Sequence, residues 1–215
     1  MKWRKGLIVG VILLLPAISI PVWIHLHRPS KEYLEKEIVA AARGGNKEEV
    51  ASLLKRGADP NSREIKESRS GSSAGLYAEQ SAAFRQETRR QSQTVLSLAA
   101  TGRKRTELVK LLLDHGASIQ QDDECMLPAI VQSARQGDLQ TVQLLLDRGA
   151  AVNTTNAVGL PPIEAAVLSR NVALVRLLLE RGANPRAAGV TAKMAKESPE
   201  AAQIRDLLQA AVKPK

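Results

Sequence analysis

LLLDHGASI at 111–119, LLLDRGAAV at 144–152 and LLLERGANP at 177–185 are three copies of one pattern. Their glycines, Gly116, Gly149 and Gly182, stand 33 and 33 residues apart. A fourth copy, SLLKRGADPN, fills 52–61 around Gly57. A fixed period of this length is the mark of a solenoid, in which each unit buries its apolar face only against its neighbours. Each leucine run closes a helix, and the glycine after it supplies a left-handed position that a Cβ would disfavour. The Gly-Ala step then enters a turn rich in Asn and Asp, as in GADPN at 57–61 and GANP at 182–185.

The period predicts where the same helices begin. Eleven residues before three of the glycines stand Asn46, Asp138 and Asn171, side chains suited to cap a helix N-terminus. In the second copy the count falls on Arg105, and Thr106 beside it is the expected cap. A first helix, preceding each of these, carries small residues where neighbouring units must approach. Examples are Ala40–Ala41–Ala42, Ala99–Ala100, Ser133–Ala134 and Ala165–Ala166.

The 33-residue period and the LLL-x-x-GA-x-x-N signature resemble the ankyrin repeat family, over residues 36 to about 212. The resemblance implies an all-α solenoid of helix-turn-helix pairs joined by β-turn fingers. It implies four repeats, at 36–61, 94–125, 126–158 and 159–188, and a polar C-terminal capping repeat at 189–215. Within the cap, Ile204, Leu207 and Leu208 have helical spacing. The family's opening T-P-L-H tetrapeptide is replaced by KEIV at 36–39, TVLS at 94–97, PAIV at 128–131 and PPIE at 161–164. The Thr–His bonding between neighbouring repeats is therefore expected to be largely missing.

Upstream, residues 6–26 read GLIVGVILLLPAISIPVWIHL without a charged side chain. In helical form 21 residues reach about 30 Å, the thickness of a hydrocarbon core. Trp3 and Trp23 stand near the ends, as interface-seeking rings do, while Pro16 and Pro21 would kink the helix. A transmembrane signal-anchor at 6–27, behind a basic tail at 1–5 and before a linker at 28–35, is the expectation. The alternative is a cleaved signal peptide releasing a secreted or periplasmic protein, with Ala17 and Ser19 before the cut. Lys2, Arg4 and Lys5 crowd the N-terminal side, which favours an N-in orientation: a single-pass inner-membrane protein with its repeats on the periplasmic side, in a bacterial cell.

Composition narrows the function. The charge is +9, and setting aside Lys2, Arg4, Lys5 and Arg28 around the apolar segment leaves 27 basic against 22 acidic residues. No aromatics interleave with basic runs, so nucleic-acid binding is not expected. Cys125 is the sole cysteine, which excludes an internal disulfide. His25 and His27 flank the apolar segment and His115 lies in the Asp-His-Gly turn, so no histidine pair suggests a metal. No phosphate-cradling or nucleophile-elbow motif occurs. Asp122, Asp123 and Glu124, like Glu48 and Glu49, read as solvated surface. An enzyme, a cofactor and a metal are all unexpected; a monomeric solenoid that binds proteins is expected.

The candidate binding surface follows from the resemblance. The fingers at 58–61, 117–121, 150–154 and 183–186 contribute Asp59, Asn61, Asn153 and Asn184, and the first helices contribute Arg43, Thr101, Arg135, Gln136 and Ser169. One feature is not generic. Gly57 and Gly116 are 59 residues apart, 26 more than one period. Most of the excess lies in an insertion at 62–93, which opens with a Ser/Gly-rich loop. A helix at 76–90 follows, with Leu76, Tyr77, Gln80, Ala83 and Phe84 on one face. Tyr77 and Phe84 either anchor a partner or pack down on the first two repeats. Three functions fit this reading: a membrane-anchored adaptor or scaffold, an immunity-type protein occluding a toxic enzyme, and a cytoplasm-facing recruiter of a soluble partner.

Overall fold

The computed structural model describes residues 30–64, 92–119, 127–188 and 198–212. The apolar segment 6–26, residues 65–91 with Tyr77 and Phe84, and Gln121 to Cys125 lie outside the described residues. Among the described residues no helix is long and apolar enough to cross a membrane.

Four helical pairs follow one another: α1 (Lys31–Gly44) with α2 (Lys47–Lys55), α3 (Val95–Ala99) with α4 (Thr106–Asp114), α5 (Ala129–Arg135) with α6 (Leu139–Asp147), and α7 (Pro162–Leu168) with α8 (Val172–Glu180). A 3₁₀ turn, Pro185–Ala188, and a last helix, α9 (Pro199–Val212), complete the stack. First helices pack on first helices and second on second, and α9 covers α8, so Ile204 and Leu208 close the end of the core. The buried side chains form one cluster from Leu34 to Leu208.

The leucine triplets show why the period works. The middle leucine of the three triplets, Leu112, Leu145 and Leu178, is buried, as is Leu53 at the same place in the first copy. In the last three copies its two neighbours are half-buried, packing on the cluster from either side. Behind each triplet the same bonds recur. The glycine N–H bonds the carbonyl three residues back, from Gly57 to Leu54 and from Gly182 to Leu179, and the next alanine N–H reaches the carbonyl five back. This closure requires the glycine in the left-handed region, and φ is +95, +89, +91 and +87° at Gly57, Gly116, Gly149 and Gly182.

Helix starts follow the expected register with one correction. Asn46, Asp138 and Asn171 accept from the backbone N–H three residues on, at 3.2, 3.2 and 3.1 Å. Thr106 is not the cap of α4: Arg105 holds that position without a side-chain capping bond, and the Thr106 hydroxyl instead meets the Thr141 hydroxyl of the next repeat at 2.8 Å. The Arg105 guanidinium turns back to α1, donating to the carbonyls of Ala42, Arg43 and Gly44 at 3.3, 2.9 and 3.4 Å. A cation on the last carbonyls of a helix opposes the negative end of its dipole.

Two of the expected boundaries fall in ordered structure. Most of the expected linker 28–35 is helical, because Ser30 caps α1 by accepting from Tyr33 N–H and Leu34 is buried in the core. The insertion, expected over 62–93, starts and ends in ordered structure. A two-stranded antiparallel ribbon, β1 (Arg63–Glu64) with β2 (Gln93–Thr94), pairs Arg63 with Thr94 and Glu64 with Gln93. Arg63 also donates to the Ser92 hydroxyl at 3.2 Å. The excursion therefore leaves from a pinned base, where its length adds only slowly to the entropy of closure.

The opening tetrapeptide of the second repeat keeps part of the bonding expected to be missing. Thr94 caps α3 by accepting from Ser97 N–H at 3.0 Å, and the buried Ser97 hydroxyl donates to Leu127 of the next repeat.

Candidate protein-binding face

Each repeat runs along its first helix, turns, runs back along the second and leaves through a finger. The turns between helices thus line one edge of the stack and the fingers line the other. The candidate residues divide between these edges, and they are not equally free.

On the finger edge the polar side chains mostly serve the fold. Asp59 accepts from Asn61 N–H at 2.8 Å, which shapes the first finger. Asn61 donates to the Gly116 carbonyl at 3.2 Å and accepts from Ser118 N–H at 2.7 Å, joining the first finger to the second. Asn153 repeats the device two repeats later, with Gly182 O at 3.2 Å and Asn184 N–H at 2.9 Å. Asn184 accepts from Arg186 N–H at 3.0 Å. The expectation that these four meet a partner must therefore contend with bonds they already make. Beside them Asn153, Thr155, Gly159, Pro161, Asn184 and Ala187 line a depression of about 440 Å³.

Sequence reasoning missed Asn156. Its side chain accepts from Val158 and Leu160 N–H at 3.1 and 2.8 Å, and its backbone N–H bonds Leu160 O at 3.1 Å. This fixed turn holds Val158 outward, 85 % exposed. An Asn followed by Gly three residues on is the signal that was available.

Ion pairs zip the finger edge. Asp114 meets Arg148 and Asp147 meets Arg181, each at 2.8 Å across 34 residues. Both pairs bridge consecutive repeats.

The edge of the helix turns is different. Arg43, Gly102, Arg135 and Leu168 occupy one equivalent position, three residues before the cap position of their repeats. Arg43 is exposed and pairs with Glu64 at the base of the insertion. Arg135 is exposed, donating to Gln132 at 3.2 Å, and half-buried Gln136 follows it. Thr101 and Ser169 turn their hydroxyls onto carbonyls of their own helices, Leu98 at 2.7 Å and Ala166 at 2.8 Å. Of the expected helix residues, Arg43 and Arg135 present charge, whereas Thr101 and Ser169 present little.

Two carboxyls are held below their ordinary range. Lys36 does this to Glu32, and at Glu200 the cause is hydrogen bonding by its own backbone and by Ser198. Glu32 lies in the first turn of α1 and Glu200 in the first turn of α9. Among the described residues no group of His, Cys, Asp and Glu could hold a metal ion.

A family profile describing ankyrin repeats in three copies matches residues 38–156 and again 96–189. No curated protein matches the sequence.

Proposed function

The chain belongs to the ankyrin repeat family, and on that premise we propose that it is a non-enzymatic, membrane-anchored adaptor or scaffold that holds a protein partner. Ankyrin repeats generally mediate protein–protein interaction, which supports the binding half of this reading. One observation carries it: the first helices bury their small residues, Ala41, Ala99, Ala134 and Ala166, while Arg43, Arg135 and Leu168 stand exposed in one register. A stack that needed this row for its own cohesion would bury it. The insertion between β1 and β2 adds a second contact, with Tyr77 and Phe84 as its anchors.

The tether is the 21-residue uncharged segment 6–26, entering the membrane N-in so that the repeats face the periplasm of a bacterial cell. The α1 cap at Ser30 leaves three residues between this segment and the first repeat, which keeps the stack close to the bilayer.

Protease added to intact and to opened cells tests the topology. Digestion of the repeats once the outer membrane alone is permeable supports the reading, and protection until the inner membrane is broken overturns the periplasmic placement. Pull-down with the full chain in mild detergent tests the role. One tight enzyme partner whose activity falls on binding would replace the scaffold with a neutraliser.

A further inference from the structure

The two edges of the stack are charged in different ways. On the finger edge Asp114–Arg148 and Asp147–Arg181 pair across repeats, while Lys55 and Arg56 are exposed there and form no salt bridge among the described residues. The turn edge of the second to fourth repeats carries Arg103, Lys104, Arg135 and Arg170, all exposed. Among the described residues none of these four forms a salt bridge. The acids nearby are engaged: Glu107 pairs with Lys47 at 3.4 Å, and Asp138 caps α6. Glu200, whose carboxyl is held down chiefly by its own backbone and Ser198, forms no salt bridge with Arg170 among the described residues.

A second observation bears on two of these cations. The residue before the cap position adopts a left-handed backbone in every repeat. Glycine serves there in the first and third, at Gly45 and Gly137, with φ of +76 and +70°. The second and fourth use Lys104 and Arg170 instead, at φ +58 and +57°. A side chain in that region costs on the order of 1 kcal/mol. Cations thus stand where the fold favours glycine, and strain retained at such positions points to a use outside the fold.

Between Arg135 and Arg170 the row carries one apolar side chain, Leu168, 48 % exposed. We propose that this turn edge is the dock for an acidic protein segment that also carries an apolar side chain, its carboxylates meeting Arg103, Lys104, Arg135 and Arg170 and its apolar group meeting Leu168. The inference rests on the protein-binding reading and adds the chemistry of the partner. An anionic membrane suits the edge less well. The chain enters α1 at its finger end, so the tether and the basic edge lie at opposite ends of the helices.

The full chain in mild detergent is titrated into a fluorescent peptide of roughly ten residues, Glu-rich with a central Leu. Its Gln-for-Glu counterpart and vesicles containing anionic lipid serve as comparison probes. The acidic peptide is expected to bind with an affinity that falls as salt rises from roughly 50 to roughly 500 mM. Arg103→Ala/Lys104→Ala/Arg170→Ala should weaken it at least about tenfold, and Leu168→Ser should weaken it further. Lys55→Ala/Arg56→Ala, on the finger edge, should leave it unchanged.

Equal binding of the Gln peptide, equal loss in the finger-edge variant, or preference for the vesicles overturns the proposal. Selection of a random peptide library on the same chain separates the two levels of the argument. Enriched peptides that are acidic with an apolar residue support the proposal. Enriched peptides without acids overturn it while upholding protein binding, and no enrichment counts against both.

Discussion

Arg105 lies across Gly45, its guanidinium bonded to the carbonyls of Ala42, Arg43 and Gly44 at the end of α1. A Cβ built on Gly45 would stand 2.6 Å from Arg105 Cζ. The glycine is therefore required twice, for its φ of +76° and for the space the arginine occupies. The pair joins the first repeat to the second.

Gly45→Ala should cost about 2 kcal/mol, from left-handed strain and from displacing charge-assisted bonds. Arg105→Ala should cost about 1–2 kcal/mol by losing those bonds. Because both changes disturb one contact, the double variant should lose less than the sum. Urea titration of the three variants measures this, and strict additivity would show that Arg105 does not depend on Gly45.

Leu145→Asp should cost several kcal/mol, because the middle leucine of its triplet is 1 % exposed and the new carboxylate would have no partner. Leu144→Asp, one residue earlier and half-buried, should cost clearly less. Thermal melts of the two compare them directly. Equal losses would mean the register of the triplet is misplaced.

Ser133→Ala should raise stability. The Ser133 hydroxyl is buried and has no hydrogen-bond partner among the described residues, and its position corresponds to Ala41, Ala100 and Ala166 in the other repeats. Removing an unpaired buried hydroxyl gains roughly 1 kcal/mol. A melting temperature at or below that of the parent would reveal a water or partner that satisfies the group.

The repeat was legible because its cause is local and recurrent. A glycine that must be left-handed and a leucine that must be buried return every 33 residues, and each leaves a letter in the sequence. Arg105 was not legible, since nothing local shows that its long side chain reaches carbonyls more than sixty residues earlier. The finger asparagines are legible as finger residues, but the bonds they make are not. Position in a finger is visible in sequence, whereas the carbonyl that faces Asn61 is visible only once two fingers stand side by side. The early start of α1 was hidden by the charged residues of 31–37, which mask the apolar spacing of Leu34 and Ile38.

The finger asparagines can be tested as structural parts. Asn61→Ala and Asn153→Ala each remove a donor to a neighbouring glycine carbonyl and an acceptor from a neighbouring N–H. Each should cost about 1–2 kcal/mol, allowing for the solvent exposure of these bonds. Hydrogen exchange should quicken at Ser118 in the first variant and at Asn184 in the second. Unchanged exchange with lost partner binding would return these residues to the binding surface.

Lys104→Gly and Arg170→Gly set stability against binding. Relief of the left-handed backbone is worth about 1–2 kcal/mol, and the added freedom of glycine in the unfolded chain takes back about 0.5–1 kcal/mol. A net gain of up to about 1.5 kcal/mol per site is expected, measured as a higher urea midpoint. Each variant also removes a cation from the turn edge, so binding of the acidic peptide should weaken as the fold strengthens. Gly137→Lys, the reverse change at the equivalent turn of the third repeat, should destabilise the fold and strengthen binding. If stability and binding instead rose together in the glycine variants, the strain at φ +58 and +57° would have no connection with the charge it carries.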